Sequence, residues 1–157
     1  MVSETMTTPS EVAICNLLYR YAETVDQGRF EDLATDLYAD CQFVVGSGPR
    51  LDGQRMVELL GRTTIRYADG TPRTKHVITN PIVEVDEVAG SATCRSNYVV
   101  FQQTDTLALQ AIVAGRYRDK FVRVGGEWRF AERDYSLVDM VGDISQHLRM
   151  NLKPPGD

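Results

Sequence analysis

The sequence predicts a single α+β domain in which helices come first and an antiparallel sheet follows. Before residue 67, apolar residues recur with the 3.6-residue period of a helix. From residue 74 onward, the segments are rich in β-branched and aromatic residues and are separated by short turns. The chain of 157 residues can bury one core without metal or disulfide staples. We therefore expect one domain over residues 10–148, between a disordered N-terminus of residues 1–9 and a C-terminal tail of residues 149–157.

Three helices are expected in the first part of the chain. The first begins at Ser10, which is placed to cap it, and its apolar stripe comprises Ile14, Leu17, Leu18, Tyr21 and Val25. A second, shorter helix begins at Phe30, and a third follows Asp52, which has a capping position of its own. The β-branched segment 41–45 between them predicts a short strand.

Four β-rich segments complete the chain, at residues 74–86, 91–104, 107–124 and 127–138. Their short connections require antiparallel neighbours, because a parallel crossover needs about a dozen or more residues. Asn80-Pro81 is expected to interrupt the first of these strands, and Gly115 to weaken the third. Long strands twist and bulge, so we expect a curved sheet whose concave face is partly covered by the helices. The space that remains is the predicted pocket for a small molecule.

Composition excludes several classes of function. Seventeen basic and 22 acidic residues give a net charge of -5, which opposes binding to nucleic acids and to anionic membranes. The three cysteines are far apart and form no CxxC or Cys/His cluster, so neither a disulfide framework nor a zinc site is predicted. The N-terminus lacks the basic and apolar parts of a signal peptide, which predicts a cytoplasmic protein. The common nucleotide, serine-hydrolase and zinc-protease motifs are also absent.

Two residues are candidates for acid–base chemistry. His76 is one of only two histidines and lies in an apolar strand segment. Its ordinary pKa of about 6.5 suits a general base at neutral pH, although a histidine in such a segment also serves as a core residue. Asp26 lies at the end of the first helix, at the edge of the buried face. Its carboxylate could accept the ring N–H of His76, and the alternative is a solvated residue near a helix end.

Two further candidates are less specific. Tyr21 lies within the apolar stripe, so its hydroxyl needs a partner, which is either a substrate carbonyl or a core group. Arg133 shares a strand face with Ala131 and Tyr135, and it points either into a cavity or into solvent as part of a charge network. His147, near the C-terminus, receives no role.

Three segments carry a resemblance to a known family: YAETVDQGRFEDLATDLYAD, TKHVITNPIVEVD and GEWRFAERDYSLV. Together they resemble the SnoaL-like group of the NTF2-like superfamily over about residues 10–140. The resemblance implies the cystatin-like cone of that superfamily, a curved antiparallel sheet with N-terminal helices packed in its concave face. Within the superfamily, the sequence is most similar to scytalone dehydratase and bile-acid 7α-dehydratase, which eliminate water with a histidine, an aspartate and tyrosine and without metal.

The resemblance implies a site and a reaction. Tyr21, Asp26 and His76 fall on the catalytic positions, and Arg133 falls on a substrate-binding arginine. The dehydratases carry a second acidic residue or histidine on the next strand, where this chain offers Asn97 or Tyr98 as substrate-binding candidates. The implied function is that of a dehydratase-like lyase, without cofactor or metal, acting on a hydrophobic cyclic or polycyclic hydroxy-carbonyl compound.

Alternatives to this reaction remain open. A double-bond isomerase would use the same pocket and the same groups. A noncatalytic member would be an inert small-molecule binder, or a structural subunit like the small subunit of ring-hydroxylating dioxygenases. Apolar residues on both faces of segment 107–124 also predict a homo-oligomer, either a dimer or a trimer, that buries the outer face of the sheet.

Overall fold

The computed structural model describes residues 8–153. Residues 1–7 of the predicted N-terminal segment and residues 154–157 of the predicted tail lie outside the described residues. The helices are α1 (Ser10–Asp26), α2 (Phe30–Asp36) and α3 (Gly53–Thr63). The strands are β1 (Gln42–Val44), β2 (Leu51–Asp52), β3 (Thr74–Asp86), β4 (Ser91–Gln102), β5 (Gln110–Val124), β6 (Glu127–Asp134) and β7 (Val138–Val141). They form one curved, open, mixed sheet, and the α+β prediction is confirmed.

Helix α1 has the predicted buried stripe, which comprises Ile14, Leu18, Tyr21 and Val25. Its predicted cap is wrong: Ser10 is the first helical residue, its hydroxyl accepts from no N–H of the first helical turn, and it donates instead to Glu87 at 2.6 Å. The helix ends at Asp26, and Gly28 then turns the chain with a φ of 72°. A Cβ on Gly28 would lie 2.0 Å from the carbonyl oxygen of Gly70, so only glycine fits this close approach. Asp26 is thereby held at the end of α1 next to the sheet.

The strand order is β2-β1-β6-β5-β4-β3, with β7 also paired to β5. Strands β3 to β6 form the predicted antiparallel meander. Strand β1, in contrast, runs parallel to β6 and places Phe43 opposite Arg133. The sheet is therefore mixed and not wholly antiparallel, because the long meander supplies the connection that a parallel pair needs.

The last predicted strand, 127–138, is divided into β6 and β7. Of the residues of β5, only Arg118–Val124 pair with β6, which leaves the first part of β5 without a partner from β6 at that edge. Strand β7 fills this edge by pairing with β5 between Val113 and Gly115. The chain therefore changes its path between the two strands while staying beside the same partner.

Two irregularities bend the sheet. The β3–β4 register shifts between Thr79 and Ile82, where Asn80 has a φ of 52°, in agreement with the interruption predicted at Asn80-Pro81. The β4–β5 register shifts near Ile112, so that both Ile112 and Val113 are buried. The regular alternation of inward and outward residues is therefore interrupted in this part of β5.

Aromatic side chains and one ion pair fill the concave face of the sheet. Arg133 is fully buried, and its Nε lies 3.0 Å from Oδ1 of Asp119 on β5. The guanidinium lies between two rings, 4.1 Å from the Tyr21 centroid and 4.0 Å from the Tyr117 centroid. Tyr38, whose hydroxyl accepts from Arg133, and Tyr135 also contact this guanidinium, and their hydroxyls lie 3.1 Å apart. The centre of the cone, where a pocket was expected, is occupied by these side chains.

The outer face of the sheet carries exposed apolar side chains, among them Val77, Ile82 and Met140, and Leu109 is exposed in the connection before β5. This distribution agrees with the apolar residues expected on both faces, and the homo-oligomer stays a prediction. Within residues 8–153, no helix combines the length and the apolar character that a bilayer crossing requires.

The segment 143–149, which we call the C-terminal segment, folds back across one end of the cone. The backbone N–H of Ile65 donates to the carbonyl oxygen of His147 at 2.8 Å, and Thr64 pairs with Leu148. The backbone N–H of Arg149 donates to Thr63 at 2.8 Å. The described start of the predicted tail is thus attached to the body of the domain.

Candidate active site

Asp26 and His76 form a hydrogen-bonded dyad between the end of α1 and strand β3. Nδ1 of His76 lies 2.7 Å from Oδ1 of Asp26, and the backbone N–H of His76 donates to Oδ2 at 2.9 Å. The hydroxyl of Thr74 also donates to Oδ1, at 2.8 Å. Thr74 and His76 are two residues apart on β3, so both face α1. The dyad is nearly enclosed, since the side chains of His76 and Asp26 are only 7% and 8% exposed.

The surroundings of Asp26 keep its carboxylate charged. Burial raises the pKa of Asp26, but the hydrogen bonds and charge of His76 and the hydroxyl of Thr74 lower it further than burial raises it. The net pKa of Asp26 lies below its ordinary value. An ionised Asp26 accepts the hydrogen of Nδ1, and the lone pair of His76 is then on Nε2. This arrangement leaves Nε2 free to act as a base and provides a negative charge that stabilises the imidazolium.

Tyr21 lies beside the dyad but directs its hydroxyl elsewhere. Its ring packs edge-on against His76, with the centroids 6.1 Å apart. The Tyr21 hydroxyl oxygen lies 3.5 Å from that of Tyr117. The structure therefore brings the two predicted rings together, and the hydroxyl of Tyr21 belongs to the tyrosine cluster in the cone.

The three predicted substrate-binding residues occupy different places. Arg133 is enclosed by aromatic rings and paired with Asp119, so its guanidinium contacts Tyr21 and does not reach the dyad directly. Tyr98 is buried on the same face of the sheet as His76, and its ring stacks on that of Tyr117 with the ring centroids 4.4 Å apart. Asn97 is exposed on the opposite face, because neighbouring residues of a strand point to opposite sides.

A groove of about 340 Å³ lies beside the dyad, between α1 and β3. We call it the dyad groove; its lining includes Tyr19, Ala22, Glu23, Lys75, His76 and Ile78. A larger surface groove of about 840 Å³ lies between α1 and β6 and contains Arg123 and Trp128. The larger groove includes none of the predicted site residues, so the dyad groove is the better candidate despite its smaller volume.

His147 is a residue that the sequence interpretation missed. It is 7% exposed, and its Nδ1 has no hydrogen-bond partner among the described residues. The pKa of His147 is lowered to about 4, mainly by burial and in part by the charge of His76, while Asp26 opposes the shift. The C-terminal segment has no apolar periodicity that would place His147, and its rarity as one of two histidines was the one available signal.

Comparison with known proteins agrees with this architecture. Residues 6–134 match the family model described as a SnoaL-like domain. No curated protein sequence matches the chain. Within the described residues, no group of three or more His, Cys, Asp or Glu side chains is arranged to hold a metal ion.

Three solved structures from Novosphingobium aromaticivorans are similar in fold. A proposed scytalone dehydratase is 21% identical, with 93% of each chain covered and a TM-score of 0.66. The beta subunit of a proposed aromatic-ring-hydroxylating dioxygenase is 22% identical, with 84% of this chain and 90% of that chain covered and a TM-score of 0.65. An NTF2-like protein with a cystatin-like fold is 23% identical, with 78% of each chain covered and a TM-score of 0.59. At these identities the likeness establishes the fold alone.

Proposed function

The chain belongs to the SnoaL-like domain family, and on that premise we propose that it is a dehydratase-like lyase that works without a cofactor. The proposed substrate is a hydrophobic cyclic or polycyclic compound that carries a carbonyl group and a hydroxyl group. The observation that carries the proposal is the 2.7 Å contact between Nδ1 of His76 and Oδ1 of Asp26, beside an open groove.

The chemistry follows from the free Nε2 of His76. Nε2 removes the proton from the carbon next to the carbonyl, and the C–H electron pair becomes the new carbon–carbon double bond. The hydroxyl on the next carbon leaves with its bonding electrons and takes a proton from the imidazolium, which forms water and restores neutral His76. Asp26 stabilises the imidazolium between these two transfers. A positioned base of this kind contributes typically about 10²–10⁴-fold to the rate.

The lining of the dyad groove is compatible with such a substrate. Tyr19, Ala22 and Ile78 supply apolar surface, and Glu23 and Lys75 supply polar groups. A volume of about 340 Å³ falls within the range of small-molecule sites. A ring with two oxygen substituents therefore has both kinds of surface available next to His76.

A suitable test compound is 3-hydroxy-1-tetralone. Loss of water gives an enone that tautomerises to 1-naphthol, whose fluorescence reports the reaction. We expect the wild-type protein to accelerate this elimination and His76→Gln to lower kcat by about 10²–10⁴-fold. Thr93→Val, at an exposed position on the outer face of β4, is the matched control and should keep the wild-type rate. A wild-type rate equal to that of buffer, or an unchanged rate in His76→Gln, would contradict the proposal.

A second candidate function is noncatalytic, as an inert binder or a structural subunit. The filled centre of the cone favours it, because Arg133 and Asp119 occupy space that a lumenal substrate would need. This alternative predicts no turnover of 3-hydroxy-1-tetralone. A double-bond isomerase would instead convert a β,γ-unsaturated ketone to its conjugated isomer through His76, without loss of water.

A further inference from the structure

Two buried polar atoms lie at the end of the cone that the C-terminal segment covers. Oε1 of Gln102 and Nδ1 of His147 have no hydrogen-bond partner within residues 8–153. Their residues are only 1% and 7% exposed. Buried polar atoms in native proteins are nearly always paired, since burial without a partner is unfavourable. Both atoms therefore have hydrogen-bonding capacity that the described residues do not use.

The orientation of the Gln102 amide is fixed by its neighbours. Its Nε2 donates to the carbonyl oxygen of Pro72 at 3.0 Å and to that of Gln146 at 2.9 Å. The opposite orientation would place the amide oxygen against two carbonyl oxygens. Oε1 is consequently an acceptor that is free to receive a hydrogen.

Hydrogen bonds to the backbone of Gln146 and His147 fix the position of His147. Its carbonyl oxygen accepts from Ile65, and the preceding carbonyl of Gln146 accepts from the hydroxyl of Tyr67 at 2.6 Å. Burial keeps the ring neutral at pH 7 by lowering its pKa to about 4. A neutral imidazole has one N–H donor and one acceptor nitrogen. In the tautomer with the hydrogen on Nδ1, this atom becomes a donor that complements the acceptor on Gln102.

The same end of the cone contains the dyad. Gln102 is opposite Thr74 in the β3–β4 ladder, and His76 is opposite Val100, so Gln102 and His76 share the inner face. Thr74 donates to Asp26, which links this part of the ladder to the dyad. Nε2 of Gln102 donates to the carbonyl oxygen of Gln146, the residue before His147, so His147 lies at this same end of the cone.

We propose that Gln102 and His147 form a subsite for a hydroxyl group of the ligand. The hydroxyl donates its hydrogen to Oε1 of Gln102 and accepts a hydrogen from Nδ1 of His147. The inference deepens the proposed function, on which it rests for placing the ring of the ligand against His76. It makes the hydroxyl, in addition to the carbonyl, a determinant of specificity.

The experiment uses the full chain with His76→Gln, which stops the proposed elimination and leaves His147 as the one remaining histidine. Two probes, 3-hydroxy-1-tetralone and 1-tetralone, are titrated while the ¹⁵N signals of the His147 ring are recorded. We expect the hydroxylated probe to bind about 5- to 10-fold more tightly, as one net hydrogen bond allows. It should also shift the Nδ1 resonance, whereas 1-tetralone should not.

Two further variants in the same background separate recognition from structure. His147→Phe keeps an aromatic ring without nitrogens and should bring the binding ratio close to one. His147→Asn keeps a polar atom near the Nδ1 position and should restore part of the preference. Thr93→Val should leave the ratio unchanged. Equal binding of both probes, no binding of either, or an unshifted ring would overturn the proposal.

The outcomes for the subsite and for the reaction are distinguishable. If the wild-type protein does not eliminate water but the His147-dependent preference is present, the proposed function fails and the subsite remains. If elimination occurs and His147→Phe retains the preference, the subsite fails and the proposed function remains.

Discussion

The burial of His147 makes the stability of the fold depend on pH. The pKa of its imidazole is lowered from 6.5 to about 4, mainly by burial, with a smaller lowering by the charge of His76 and an opposing effect of Asp26. As the pH falls through 6.5, the unfolded chain takes up a proton that the folded protein accepts only near pH 4. The unfolded state therefore binds more protons in this window, and the free energy of unfolding falls as the pH falls. Above pH 6.5 this contribution is fully present.

The size of the effect follows from the shift. One pKa unit corresponds to about 1.4 kcal/mol, so the shift of His147 removes roughly 2.5 kcal/mol of stability between pH 7.5 and pH 4.5. The lowered pKa of Asp26 acts below this window, because its stabilisation is lost only as the pH falls below the ordinary value of 3.8. The pKa of Asp119, which burial raises to about 6, acts in the opposite direction. Both carboxyl groups, Asp26 and Asp119, are present in the wild-type protein and in a variant of His147, so their contributions cancel when the two proteins are compared.

The comparison is between the wild-type protein and His147→Phe in urea denaturation at pH 7.5 and pH 4.5. The fluorescence of Trp128, the one tryptophan, reports unfolding. The wild-type protein should lose roughly 2–3 kcal/mol more than His147→Phe between the two pH values, as the imidazole shift requires. Thr93→Val should behave like the wild type. Equal losses in the wild type and His147→Phe would refute the neutral, buried imidazole.

Three further predictions concern the packing. Arg133→Met should lower the free energy of unfolding by about 3–5 kcal/mol in urea, because Asp119 would stay buried without its partner; a loss below about 1 kcal/mol would contradict the buried pair. Gly115→Ala should cost about 1–3 kcal/mol in thermal denaturation, because its Cβ would lie 2.4 Å from the carbonyl oxygen of Leu137; an unchanged midpoint would count against this packing. Gly61→Ala, in α3 where a Cβ meets nothing within 4 Å, should instead stabilise the protein by about 0.5–1 kcal/mol, and a decrease would argue against an exposed helical position.

Elements with a strong local pattern were predictable from the sequence. The stripe from Ile14 to Val25 predicted α1, and the capping position of Asp52 predicted α3, where Oδ1 accepts from the backbone N–H of Arg55. The four β-rich segments predicted β3–β6 because the strand pattern is local, whereas the division of segment 127–138 into β6 and β7 has no local signal. Strand β2 has only two residues, and the parallel pairing of Phe43 with Arg133 joins distant parts of the chain. Neither has a local pattern from which it could be inferred.

The site was predictable only in part for a related reason. The position of Asp26 at the edge of the α1 stripe and the family resemblance together predicted that Asp26 pairs with His76. The burial of Arg133 depends on Asp119, and this contact follows from the β5–β6 register and not from local sequence. The choice between Asn97 and Tyr98 depends on which residues of β4 face inward, and a one-residue change in register would exchange them.

The parallel pairing of β1 with β6 has a consequence for biosynthesis. Gln42 pairs with Glu132, ninety residues later in the chain. During translation, β1 emerges from the ribosome long before its partner, and a contact so distant in sequence carries a high loop-closure cost. A nascent chain that stops before β6 therefore leaves one edge of β1 unpaired, and final assembly of the sheet waits for the last hairpin.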